Sequence, residues 1–137
     1  MCRCSENCPE LPTLFRRVAF ASSDGSFIDY HFGRATTFFI YDVGFTAPDG
    51  QPVPSALIEK RRCYRIPGQG GVEQSVAHHR EELERIAELL KDCDAIFVVR
   101  IGPAPADFLI DRGFRVFQME ARIDRVLEEI MKENSTR

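Results

Sequence analysis

Residues 18–43 read VAFASSDGSFIDYHFGRATTFFIYDV. Val18-Ala19-Phe20-Ala21 is a short apolar run that stops at Ser22-Ser23-Asp24-Gly25, a strong turn signal. Phe38–Val43 is a second run, rich in the aromatic and β-branched residues that suit a pleated surface. The spacing predicts strands at about 18–22 and 37–43, with a short strand at about 27–30 between them. Also between them lies Asp29-Tyr30-His31-Phe32-Gly33-Arg34, where a histidine and an arginine flank Phe-Gly in a segment too polar for a core. That loop is the first place to look for chemistry.

Going outward, the frame is one domain. A chain of 137 residues is long enough for a proper core and too short for two. With 44% hydrophobic and 28% charged residues, the composition is that of a globular protein. The formal charge of −3 gives no general pull toward nucleic acid or an anionic membrane. No apolar run approaches the roughly 20 residues of a spanning helix. The opening MCRCSENCPELP lacks the apolar centre of a signal peptide, so a cytoplasmic location is expected. Thiols stay reduced there, and clustered cysteines point to metal or redox work more than to disulfides.

Downstream, the Gly- and Pro-rich segment 44–54 reads as an exposed connection. Ala56–Ile66 reads as a strand, and its charged centre Glu59–Arg62 argues for a sheet edge or one wet face. Pro67–Gly71 is a loop. Val72, Val76, His79, Leu83, Ile86 and Leu90 then recur at spacings of three and four, predicting a helix over 72–91. Ala95–Val99 is nearly continuous in apolar residues, as in a strand covered on both faces. A helix over 104–111 is expected to end at Gly113, followed by a strand at 114–117 and a last helix over 121–133. Strands first, then helix and strand in alternation, imply a mixed sheet with helices packed on it, an α/β layer domain.

Upstream, Cys2, Cys4 and Cys8 form a C-x-C-x3-C cluster in residues 1–16, which read as a flexible arm ahead of a domain at 17–133 and a fraying tail at 134–137. Three thiolates this close suit soft metals such as zinc, copper(I) or iron–sulfur species, although a fourth ligand is missing and the spacing matches no standard pattern. The alternative is a tail whose cysteines are incidental. The roughly 10 residues from Cys8 to Val18 could reach ~33–36 Å if extended, so the arm could approach the His31 loop.

The combination VAFASSDG…DYHFGRATTFFIYDV, a strand ending in Arg62-Cys63-Tyr64, and LLKDCDAIFVVRIGPAPADFLIDRGFRVF resembles the dinitrogenase iron–molybdenum cofactor biosynthesis family. The resemblance covers residues 18 to about 130. It implies a ribonuclease H-like fold with a mixed, about five-stranded sheet and flanking helices. It also implies a non-enzymatic protein that binds an iron–sulfur or iron–molybdenum type cluster and exchanges it with donor and acceptor assembly proteins. His31 matches the family's His-Phe-Gly position. A neutral imidazole is a good ligand for such metals, and Gly33 would let the backbone approach a bulky cluster. The alternative is a turn histidine bonded to backbone.

Arg34 and Arg100 are the candidate positive charges for an anionic cluster. Arg100 and Gly102 stand where the buried strand leaves the sheet, the usual side for ligands in open α/β sheets. Cys63 is either an exposed ligand or a small core residue, whereas Cys93 is better read as packing. His78 and His79 are adjacent on a helix, point in different directions, and make poor joint ligands. Two other functions compete. A metal-dependent nuclease would need carboxylates such as Asp24, Asp29, Asp42 and Asp94 to converge on metal ions, with only Lys60-Arg61-Arg62 as a basic patch. A partner-binding or regulatory module would need no cofactor.

Overall fold

The computed structural model of the chain describes residues 15–63 and 76–135. Five strands make one sheet: β1 (Arg17–Ala21), β2 (Thr37–Asp42), β5 (Ala56–Arg62), β6 (Ala95–Val98) and β7 (Arg115–Gln118). A two-stranded ribbon, β3 (Phe45–Thr46) and β4 (Pro52–Val53), stands apart from it. The helices are α1 (Val76–Leu89), α2 (Pro103–Asp111) and α3 (Ile123–Ser135), and Phe32–Arg34 form a 3-10 turn.

The sheet order is β5-β2-β1-β6-β7. β1 pairs antiparallel with β2 and parallel with β6, and β6 pairs parallel with β7. From β1 the chain therefore moves outward on one side through β2 and β5, then crosses back to build β6 and β7 on the other. β1 and β6 are interior strands buried on both faces, which is why they read as continuous apolar runs instead of alternating ones. On one face Ala19, Ala21, Phe38, Ile40, Ile96 and Val98 pack against Leu83, Ile86 and Leu90 at the α1 end and Leu109 of α2. On the other, Val18, Phe20, Ala95 and Phe97 pack against Ile123, Val126, Leu127 and Ile130 of α3. Each large side chain so buried is worth ~1.5–3 kcal/mol relative to exposure, and α3 spends one stripe of four such residues on this face. The result is a three-layer α/β domain with a mixed five-stranded sheet.

Two expectations are corrected in detail. Residues 27–30 form no strand, only a single bridge between Phe27 and Arg122. Side chains capture the backbone there: Asp24 Oδ1 accepts the Ser26 N–H at 2.8 Å, and Asp29 Oδ1 accepts the Ser23 N–H at 2.8 Å. Such local bonds compete with a ladder and make a turn. The 44–54 connection is exposed as expected, yet it carries the β3–β4 ribbon. Gly44 has no room for a Cβ, which would collide with the Val53 carbonyl. The remaining elements fall near where the sequence puts them, although β5 ends at Arg62, with residues 64–66 of the expected strand outside the described residues, and α3 runs to Ser135, two residues into the expected tail. β5 is the edge strand with a bulge between its pairings to Ile40 and Tyr41, and Gly113 (φ +98°) closes α2. The N-terminal part of the expected helix at 72–75 lies outside the described residues, as do the side chains of His78 and His79.

Candidate functional site

The His31 loop is built around one apolar anchor. Phe32 is buried in the first core cluster, while His31, Gly33 and Arg34 on either side are exposed. The turn closes through Arg34 N–H donating to the His31 carbonyl at 2.9 Å and Ala35 N–H donating to Phe32 at 3.2 Å. Two further backbone bonds join this loop to the segment after β6. Val99 N–H donates to the Tyr30 carbonyl at 3.0 Å, and Phe32 N–H donates to the Arg100 carbonyl at 2.9 Å. Arg100 and Gly102 are exposed on that segment, and Gly102 is the N-cap of α2. The fold thus brings His31, Gly33, Arg34, Arg100 and Gly102 to the carboxyl ends of β1 and β6. These are the adjacent parallel strands from which the chain departs in opposite directions, the general position of ligand sites in open α/β sheets.

Among the described residues, neither the Arg34 nor the Arg100 guanidinium has an ion-pair partner. Apart from its two chain neighbours, no heavy atom among the described residues lies within 4 Å of where a Cβ on Gly33 would stand. Clefts of about 600 and 680 Å3 lie elsewhere, one lined by Cys93, Asp94, Arg112 and Arg115, the other by Phe15, Arg17, Asp42 and Asp92. In the first, Glu88 holds Lys91, Glu84 holds Arg112, Arg115 stacks on Phe15, and Asp94 accepts backbone N–H groups. The charges of this first cleft are therefore largely engaged by the protein itself.

The remaining candidates separate. Cys93 is buried, and burial pushes its thiol up to about 12, which leaves it an inert core group as expected. Cys63 is also buried, in the cluster that holds Phe32 and Ala35, and its N–H donates to the Thr36 carbonyl at 2.9 Å. Cys2, Cys4 and Cys8 lie outside the described residues. Phe15, the first described residue, is edge-on to Phe117 and under the Arg115 guanidinium, at the end of β1 opposite His31.

The four carboxylates weighed for a nuclease do not converge. Asp24 and Asp29 cap turns beside the carboxyl end of β1. Asp42 pairs with Arg17, and Asp94 accepts the Arg16 and Arg17 N–H groups, both at the amino end. Among the described residues no group of three or more His, Cys, Asp or Glu side chains could hold a metal ion.

A family model described as dinitrogenase iron-molybdenum cofactor matches residues 16–133. The chain belongs to this family. A relative named FeMo cofactor biosynthesis protein NifB, from Frankia alni, is 28% identical over 123 residues, 89% of this chain. The chain spans only 22% of that protein's length. Protein NifX from Azotobacter vinelandii is 29% identical over 119 residues, 85% of this chain and 66% of its own. The crystal structure of PH0822 has the same fold: TM-score 0.55 at 19% identity, covering 86% of this chain and 92% of that one.

Within this dinitrogenase cofactor domain, sequence reasoning passed over Gln118, and it had Asp92 only as part of the LLKDCDAIFVV stretch, without its ion pairs. Gln118, the last residue of β7, accepts the Ile101 N–H on its side-chain Oε1 at 2.9 Å and so ties the Arg100 segment to the sheet. Asp92 accepts from both Arg17 and Arg61. A lone glutamine at a strand end carries no pattern, and an acid that bridges two strands is recognisable only once the strands are placed. Among the described residues no helix is long and apolar enough to cross a membrane.

Proposed function

We propose that the chain binds an anionic iron–sulfur or molybdenum-containing cluster and carries it between donor and acceptor proteins during assembly of the iron–molybdenum cofactor, without catalysing a reaction itself. One observation carries this reading: two guanidiniums without ion-pair partners among the described residues, Arg34 and Arg100, stand with His31 on loops zipped together where β1 and β6 diverge. Family membership and the names of the NifB and NifX relatives support it. In this reading His31 offers an imidazole to the cargo, Arg34 and Arg100 offer fixed charge, Gly33 leaves room for a bulky ligand, and Gly102, the N-cap of α2, lines the same side. Cys2, Cys4 and Cys8 are the thiolates available to join it. Cys63 is a further thiol of this region but is buried in the cluster that holds Phe32. We take the work to be cytoplasmic, with other proteins and not nucleic acid as partners. The sheet order, with the first strand central, supports a ribonuclease H-like description of the fold.

The test is anaerobic reconstitution with iron and sulfide or with a molybdenum–sulfur source, followed by ultraviolet–visible spectra and metal analysis. Three proteins are compared: the wild type, His31→Ala, and a Cys2, Cys4, Cys8→Ser variant. The expected result is charge-transfer bands that His31→Ala weakens about ten-fold or more in occupancy and that the serine variant retains at least in part. Bands lost only in the serine variant would move the metal to the arm. No bands in any protein, with the thiols confirmed reduced, would sink the carrier reading.

A further inference from the structure

Every residue between β6 and α2 that flanks the site is tied down by a hydrogen bond. Val99 N–H reaches Tyr30, the Arg100 carbonyl accepts Phe32 N–H, Ile101 N–H reaches Gln118, and the Gly102 carbonyl accepts Ala106 N–H at 3.1 Å. Three of these four ties run backbone to backbone. The fourth ends on a side chain, Gln118 Oε1, at 2.9 Å. Gln118 is anchored in turn, because it pairs with Val98 at the end of β7 and the next residue's N–H donates to the Val98 carbonyl at 2.8 Å. The Arg100 peptide is therefore held between two partners. Phe32 of the His31 loop binds it on one side, and Gln118, through the adjacent Ile101, fixes it on the other. Gln118 is exposed and takes no part in either core cluster.

We propose that Gln118 is a positioning residue of this site: by holding Ile101 it sets where the Arg100 guanidinium stands relative to His31, and so sets the affinity for an anionic metal–sulfur ligand. This rests on the reading of the site given above. Its physical content is preorganisation. A charge on a pinned loop loses less freedom when an anion binds than the same charge on a loose one, so freeing the loop weakens binding without removing any charge.

The experiment is a double-mutant cycle on the full chain, with tetrathiomolybdate as the probe and its visible absorbance as the readout. Gln118→Met keeps the length and removes the acceptor. Gln118→Asn keeps the amide but shortens its reach. Both are expected to weaken binding about five-fold in the wild-type background, the scale of one neutral hydrogen bond. In an Arg100→Gln background the same changes are expected to have no effect, because the residue through which Gln118 acts is gone. Circular dichroism and the thermal midpoint check that each variant is folded. Equal losses in both backgrounds, or full affinity in both Gln118 variants, overturn the positioning role while the site survives. No binding by the wild type, or unchanged binding by Arg100→Gln, overturns the site itself and the role of Gln118 with it.

Discussion

The two ends of the central strands use the same residue types in opposite ways. At the amino end, arginines and aspartates close on one another. Arg17 bridges Asp42 at 2.6 Å and Asp92 at 2.9 Å, and Arg61 reaches the same Asp92 at 2.6 Å. Asp94 takes the Arg16 and Arg17 N–H groups at 2.6 and 3.2 Å. The Arg61 guanidinium, and then that of Arg17, holds the Asp92 carboxyl well below the usual carboxylate range; Arg61 is pushed above its ordinary value chiefly by its bond to Asp92, and Arg17 by its bond to Asp42 and then to Asp92. At the carboxyl end, Arg34 and Arg100 face solvent beside His31 without ion pairs among the described residues. An unpaired surface arginine adds little to folding. Two of them on loops locked by backbone bonds are the observation on which the proposed ligand site rests. In the function proposed above, one end holds the chain and the other holds a ligand.

That contrast gives predictions of decreasing size. Replacing Arg34 and Arg100 together by Glu reverses the field at the carboxyl end. Tetrathiomolybdate affinity should fall roughly 30-fold or more, while the thermal midpoint stays within about 2 °C. A large drop in midpoint with binding intact would erase the distinction between the two ends. Asp92→Ala is expected to do the converse. Two guanidiniums lose their shared acceptor, and stability should fall by about 1–2 kcal/mol, a figure reduced because the Asp92 side chain is 38% exposed. Denaturant titration would measure this, and probe affinity should be unchanged. The smallest effect is in the pH profile. Because the folded-state pKa of Asp92 is depressed, its stabilising contribution is full above the unfolded value near ~4 and is lost as pH falls toward the depressed one. Wild-type stability should therefore decline below about pH 4, and Asp92→Asn should show a shallower acid limb over the same range. Parallel limbs would mean that Asp92 is not the group that titrates.

Much of the fold is legible because its signals are local. Val18–Ala21 and Ala95–Val98 read as buried strands from unbroken apolar runs, α3 shows its stripe at Ile123, Val126, Leu127 and Ile130, and the charges of Glu59–Arg62 place β5 at an edge. The error at 27–30 has the same origin. The hydrophobicity of Phe27 and Ile28 suggests a strand, but Asp24 and Asp29 bond the backbone locally, and Ile28 is buried against the α3 face without a ladder. In the site, His31, Gly33 and Arg34 stand out because polar residues interrupt a β-rich region. Arg100 and Gly102 stand out because a buried strand ends beside them. Gln118 and Asp92 do not stand out, since their partners are remote in the chain.

By itself, then, the sequence determined the fold class, the succession of most elements and the two loops worth examining, because periodicity, turn chemistry and burial patterns act over a few neighbouring residues. Only the tertiary structure decided that Phe32 N–H meets the Arg100 carbonyl, that Arg17 and Arg61 share Asp92 while Arg34 and Arg100 form no ion pair among the described residues, and that Gln118 stands under the Arg100 loop. Those pairings depend on which strands lie side by side. The parallel crossover from β1 to β6 sets that adjacency through the packing of both sheet faces, a long-range balance of burial that no short stretch of sequence encodes.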